Sequence, residues 1–141
     1  MGSARRTTHR LRFNDTDRLG HVNNAVFVVM LEQGRTELVA EAGLPIDGGT
    51  RVVVIVRLEL DFVREMSWPG EVEIETWVER LGGRSIQLRQ RLVHGGQECG
   101  RARTVLCILD RETNRAAAIE PAWREALARW HVADSEPAER S

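Results

Sequence analysis

Seven consecutive apolar residues, Ala25-Val26-Phe27-Val28-Val29-Met30-Leu31, restrict this chain more than any other stretch. Taken alone, such a run fits a buried strand as well as a helix. Its continuation decides. Glu32, Gln33, Arg35, Thr36 and Glu37 alternate with Leu38, Val39 and Ala42 at helical spacing. Asn23 or Asn24 can cap the start, and Gly43 with Pro45 beyond it can end the run, which predicts a helix over residues 24–42. A helix that is apolar nearly all round at one end is buried there. The rest of the chain must supply a surface that wraps it.

Alternating segments supply that surface. Residues 8–13 read as a short strand, with Leu11 and Phe13 on one face and Arg10 and Arg12 on the other. Residues 52–62 read as a long strand with Val54, Val56, Leu58, Leu60 and Phe62 on one face. Val53, Ile55, Arg57, Glu59 and Asp61 take the other. In residues 71–80, Val72, Ile74, Thr76 and Val78 alternate with glutamates. Gly82-Gly83 turns the chain into residues 85–93, whose Arg89 and Arg91 are expected to pair across strands with Glu75 and Glu73 on a solvated face. Gly95-Gly96 turns it again, into residues 101–109, apolar on both faces as a central strand would be. Pro121 opens a short helix over residues 122–132. Residues 1–6 and 133–141 are expected to be flexible ends. One long helix and several antiparallel strands make a single α+β domain over residues 1–141.

Composition removes some functions. The net charge is −1, so no global field recruits nucleic acid or an anionic membrane. All twenty basic residues are arginine, which excludes a Schiff-base or P-loop lysine and leaves Arg for phosphate contacts. Cys99 and Cys107 have no metal-ligand spacing, and eight residues of strand hold them roughly 26 Å apart, too far for a disulfide. No apolar segment follows the first arginines, and none is long enough to span a membrane. These features predict a cytoplasmic protein without membrane insertion, metal or cofactor.

The chemistry concentrates just before the helix, in Phe13-Asn14-Asp15-Thr16-Asp17-Arg18-Leu19-Gly20-His21-Val22-Asn23-Asn24. Asp and Asn are common caps and turn formers, so capping alone is one reading. The other uses the same geometry. A helix N-terminus offers unpaired N–H groups and a partial positive charge, and an acid beside it can act on a carbonyl whose oxygen those groups polarise.

The string Asp-Thr-Asp-x-x-Gly-His-Val-Asn-Asn-Ala resembles the signature of hotdog-fold acyl thioesterases of the 4-hydroxybenzoyl-CoA thioesterase class. It is also similar to the Asp-x-Asn-x-His-Val-Asn-Asn segment of plant acyl-ACP thioesterases. The order of later elements agrees, so the resemblance covers about residues 7–131. It implies a sheet wrapped around a central helix and hydrolysis of an acyl-CoA, with CoA as part of the substrate rather than a cofactor. It also implies a homodimer or homotetramer with interfacial sites. By position, Asp17 is the implied catalytic carboxylate, as nucleophile or general base, and Asp15 is structural. His21 matches the plant histidine, but Leu19 stands where that pattern has Asn. Asn24, with the amides of Val22 and Asn23, would face the thioester oxygen. Phe27, Met30, Leu31 and Phe62 would shape the acyl tunnel. Arg64, Arg84 and Ser85 would bind the nucleotide end. Glu59 and Asp61 could add a carboxylate or pair with Arg57 and Arg64, while Glu32 and Arg35 would form an ion pair on the helix. His94-Gly95-Gly96 is similar to a motif of another hotdog branch but sits between strands, where it reads as a hairpin turn. Alternatives are an acyl-ACP thioesterase, a hotdog hydratase and a non-catalytic acyl-CoA-binding protein.

Overall fold

The computed structural model describes residues 2–132. The elements are β1 (Arg5–Arg10), a 3₁₀ turn (Phe13–Asp15), α1 (Asn24–Glu41), β2 (Arg51–Phe62), β3 (Glu71–Leu81), β4 (Ser85–His94), β5 (Gln97–Asp110), β6 (Arg115–Ala117) and α2 (Pro121–Ala128). They form one six-stranded antiparallel sheet in the order β1-β3-β4-β5-β2, with β6 on β5. The architecture is α+β and has the hotdog form, the sheet curling around α1.

Helix α1 matches the expected span to one residue at its C-terminal end. Its burial is one-sided. Phe27, Met30, Leu31, Leu38 and Val39 pack on the sheet, whereas Val28 and Val29 remain on the open side. Each fully buried residue of this size contributes about 1.5–3 kcal/mol of hydrophobic stabilisation. Gly34 lets the helix come this close: a Cβ there would meet Ile74 Cγ2 at 2.6 Å and Thr76 Oγ1 at 2.9 Å. Gln90 of β4 then donates from Nε2 to the Leu31 carbonyl, at 2.9 Å. The core has two parts. Leu11, Val22, Phe27, Met30, Leu31, Met66, Val72, Ile74 and Leu92 pack under the first half of α1. A second group joins Leu38, Val39, Val78, Leu88 and Ile108 to Leu127 and Trp130 at the other end.

Four local expectations are corrected. Strand β1 starts at Arg5 and stops at Arg10, so Arg5 and Arg6 lie in the sheet. The residues before it are tied down as well, because Gly2 N–H donates to His131 O at 3.0 Å and Ser3 N–H to Arg129 O at 3.3 Å. Phe13 leaves the strand and stacks edge-on against Trp68, centroids 5.7 Å apart. In β2 a bulge at Val56 shifts the register between Ile55 and Arg57. Two residues there oppose one, which reverses the alternation. Val53 and Ile55 therefore share the inner face with Leu58, Leu60 and Phe62, opposite Ile108, Leu106, Thr104, Ala102 and Gly100. The β3–β4 register puts Arg91 opposite Glu75, and Arg89 opposite Trp77 rather than opposite a glutamate. The Glu75–Arg91 face is not solvated: Glu75 is 0% exposed and accepts from Arg91 Nε at 2.7 Å, with Arg6 Nε 3.1 Å from its other oxygen. Last, α2 ends at Ala128, because the chain turns to exchange backbone bonds with β3 through Trp130, Val132 and Val78. The expected tail 133–141 lies outside the described residues.

Candidate active site

The acidic loop is fixed from three sides before any substrate is considered. Asp15 is buried. Its carboxylate accepts from Arg12 N–H at 2.9 Å and from Arg12 Nη2 at 3.1 Å, and its Oδ2 lies 3.0 Å from His9 Nε2 of β1. Its own carbonyl accepts from Asn23 N–H at 2.8 Å. One residue thus joins β1, the 3₁₀ turn and the helix start. Burial alone would raise its pKa; the Arg12 amide, His9 and the Arg12 guanidinium outweigh that and hold it below the ordinary carboxylate value.

Asp17 is exposed at the turn's edge. Its N–H donates to His21 O at 2.8 Å, and Gly20, at φ +81°, returns its N–H to the Asp17 carbonyl at 3.1 Å. Asp17 Oδ1 accepts from Leu19 N–H at 2.9 Å and His21 N–H at 3.3 Å. Oδ2 has no hydrogen-bond partner among the described residues. One oxygen is anchored and the other is left open, a geometry suited to a nucleophile or base.

The connection between β2 and β3 straps the loop from outside. Val22 N–H donates to Met66 O at 2.7 Å, and His21 forms a bridge with Ser67. The His21 ring sets Nε2 3.1 Å from Glu65 Oε2. Glu65 is a site residue that the sequence did not reveal, since nothing local marks a residue 44 positions away in numbering as a histidine's partner. Asn23 is the N-cap, accepting from Ala25 N–H at 2.9 Å. Of the three amides expected to face a thioester oxygen, those of Val22 and Asn23 are consumed inside the protein. Asn24, exposed at the first helical position, retains its N–H.

The remaining sequence-derived residues are dispersed. Phe27 is buried near the helix start and tilts against Phe62, centroids 5.0 Å apart, with Val22 buried in the same part of the core. Arg64 is exposed beside Glu65, its N–H on Cys99 O at 3.0 Å. Arg84 and Ser85 are elsewhere. Leu11 N–H bonds Gly70 O, which sets the start of β3 beside the acidic loop, while Arg84 follows the far end of β3 and donates to Ala116 O at 2.8 Å. The strand's length separates them from Asp17 by about 33 Å in the same chain. Glu59 and Asp61 lie on the outer face of β2, where Glu59 pairs with Arg57 at 2.6 Å and Asp61 stands opposite Arg101. Gly95 and Gly96, at φ +60° and +76°, form the hairpin turn read from the sequence. Among the described residues no His, Cys, Asp and Glu side chains group as a metal site, and no helix is long and apolar enough to cross a membrane.

Comparison with known proteins places the chain in a family. The thioesterase-like superfamily matches residues 11–127. A 1,4-dihydroxy-2-naphthoyl-CoA hydrolase of Synechococcus elongatus is 27% identical over 110 residues, 74% of this chain and 81% of that one. A Thermus thermophilus thioesterase crystallised with coenzyme A and Zn is 31% identical with a TM-score of 0.77, covering 86% of this chain and 95% of that one. A predicted thioesterase from Bacillus stearothermophilus is 27% identical with a TM-score of 0.85, covering 94% and 100%. The chain therefore belongs to the thioesterase-like superfamily, and with this fold it is a hotdog thioester hydrolase.

Proposed function

We propose that this protein hydrolyses acyl-CoA thioesters to a carboxylic acid and free CoA, with Asp17 as the catalytic carboxylate. The observation that carries the reading is the asymmetry of Asp17: Oδ1 is held by two loop amides, and Oδ2 is left open at the exposed edge of the turn. Oδ2 can attack the thioester carbon, expelling CoA thiolate and leaving an anhydride for water to open. It can instead take a proton from water that attacks in its place. In either route the Asn24 amide at the positive end of α1 stabilises the oxyanion. His21 orders the loop through its backbone, and Glu65 fixes its ring. CoA as carrier is supported by the coenzyme A held by the Thermus relative and the CoA ester named for the Synechococcus one.

A complete site needs a second copy. Arg84 and Ser85 cannot reach Asp17 of their own chain, yet they can serve a neighbour's. The edge strand β2 and the exposed side of α1 offer Val28, Val29, Val56, Phe62 and Val63 for that contact. The test is thiol release from a panel of acyl-CoAs, short, long and aromatic, by wild type and Asp17→Asn. Release by wild type alone supports the reading and returns the acyl class. Equal release by both removes Asp17 from the chemistry. No release from any ester, with binding intact, moves the protein to acyl-ACP hydrolysis or to a binding role.

A further inference from the structure

A cleft of about 360 Å³ opens at the corner of the sheet where β1 ends and β3 begins, and the proposed hydrolysis makes no use of it. Its walls are Arg10 and Leu11, Trp68, Pro69 and Gly70 of the β2–β3 connection, and Glu71. The same two segments frame the acidic loop, which follows Leu11 in the chain and is bridged at His21 by Ser67.

Two features separate this cleft from an ordinary surface depression. Trp68 is 47% exposed, and its ring partner Phe13 is 70% exposed, so the pair packs no core. The two ring planes cross at 83°, and no aromatic ring or guanidinium among the described residues stacks flat on the Trp68 indole. The second feature is electrostatic. Arg10 and Glu71 are direct partners in the β1–β3 register, where opposite charges ordinarily bridge. Here, among the described residues, neither side chain makes an ion pair or a hydrogen bond. Along the same two strands Arg6 reaches both Glu73 and Glu75 at 3.1 Å. The cleft thus joins an open indole to a cation and an anion that leave each other alone.

We propose that the cleft binds an adenosine phosphate. The purine lies on the Trp68 indole, its exocyclic amine donates to the Glu71 carboxylate, and Arg10 takes the phosphate. A base stacks on an aromatic face through its π-system. Arg meets a phosphate with two parallel N–H groups. A carboxylate only accepts, so it selects an amino-purine over one with a carbonyl in that place. A purely apolar ligand would use the indole and leave both charges idle. Arg84 and Ser85 lie the length of β3 away and take no part. A free adenosine nucleotide and the nucleotide end of CoA share this chemistry; the second source rests on the thioesterase reading, the first does not.

The test is calorimetric titration of the full chain with AMP, which should bind with a Kd below about 1 mM. IMP, with a carbonyl where AMP has its amine, should bind at least about tenfold more weakly. Trp68→Ala and Arg10→Met should each weaken AMP by about tenfold or more, with thermal melts confirming that both are folded. Steady-state kinetics separates the sources. AMP competes with acyl-CoA if the cleft holds the nucleotide end of CoA, and changes kcat at constant KM if it holds a free nucleotide. Titration needs no turnover, so a failed thioesterase reading leaves the binding result standing. No AMP binding up to about 1 mM, an affinity unchanged in both variants, or equal affinity for AMP and IMP overturns the inference.

Discussion

Asp15 and Asp17 are the same amino acid two positions apart, and the fold gives them opposite surroundings. Asp15 is buried with donors on both oxygens; Asp17 is exposed with donors on one. Asp17→Asn is expected to lower kcat by about 10²- to 10⁴-fold while leaving ligand affinity in place, measured by thiol release and calorimetry. Asp15→Asn should instead cost stability, about 1–3 kcal/mol in denaturant unfolding. The pH dependence has a definite sign. Asp15 has a folded pKa below its ordinary 3.8. Its contribution is full above that value and is lost as pH falls through the depressed one. Stability curves below pH 4 should therefore be steeper for wild type than for Asp15→Asn. The sequence showed both acids and the likeness of Asp17 to a catalytic residue. It did not show His9 as the neighbour of Asp15 or Glu65 as that of His21, because those contacts depend on how β1 and the β2–β3 connection cross the loop.

At the scale of elements, α1 was legible because its caps, its polar half and its stop signals all agreed. Asn23 caps it through the Ala25 amide, so Asn23→Ala should cost about 1 kcal/mol in unfolding experiments. Gly34 is a second handle on the helix. Alanine there gains up to about 1 kcal/mol of helix propensity, but its Cβ would sit 2.6 Å from Ile74. The clash costs roughly 1–3 kcal/mol, so Gly34→Ala should lower the melting temperature. The β2 faces were not legible past Ile55. Strict alternation assumes no bulge, and Val-Ile-Val-Arg contains no glycine or other local mark of one. The buried Glu75–Arg91 pair escaped for a related reason: alternating charge looks solvated until β1 lays Arg6 across it.

For the whole molecule, the sheet encloses one side of α1 and leaves the other apolar and open, with Val29 at 55% and Val56 at 59% exposure. Self-association through this side is expected by sedimentation velocity. Val29→Lys combined with Val56→Lys should yield monomers with little activity. Arg84→Ala should leave the assembly intact and raise KM several-fold at nearly constant kcat, as loss of a binding contact does. No linear reading could have separated Arg84 from Asp17, since their distance is set by the length of β3 between them.

The strap from the β2–β3 connection has a consequence that isotope exchange can register. Loop amides usually exchange with deuterium quickly, yet the Val22 and Asn23 amides are held by Met66 and Asp15 at 2.7 and 2.8 Å. Those two should exchange as slowly as interior strand amides, while Asn24, next along the chain, exchanges at a loop's rate. Protection and lability meet at a single peptide bond, and the labile side carries the amide proposed as the oxyanion's donor.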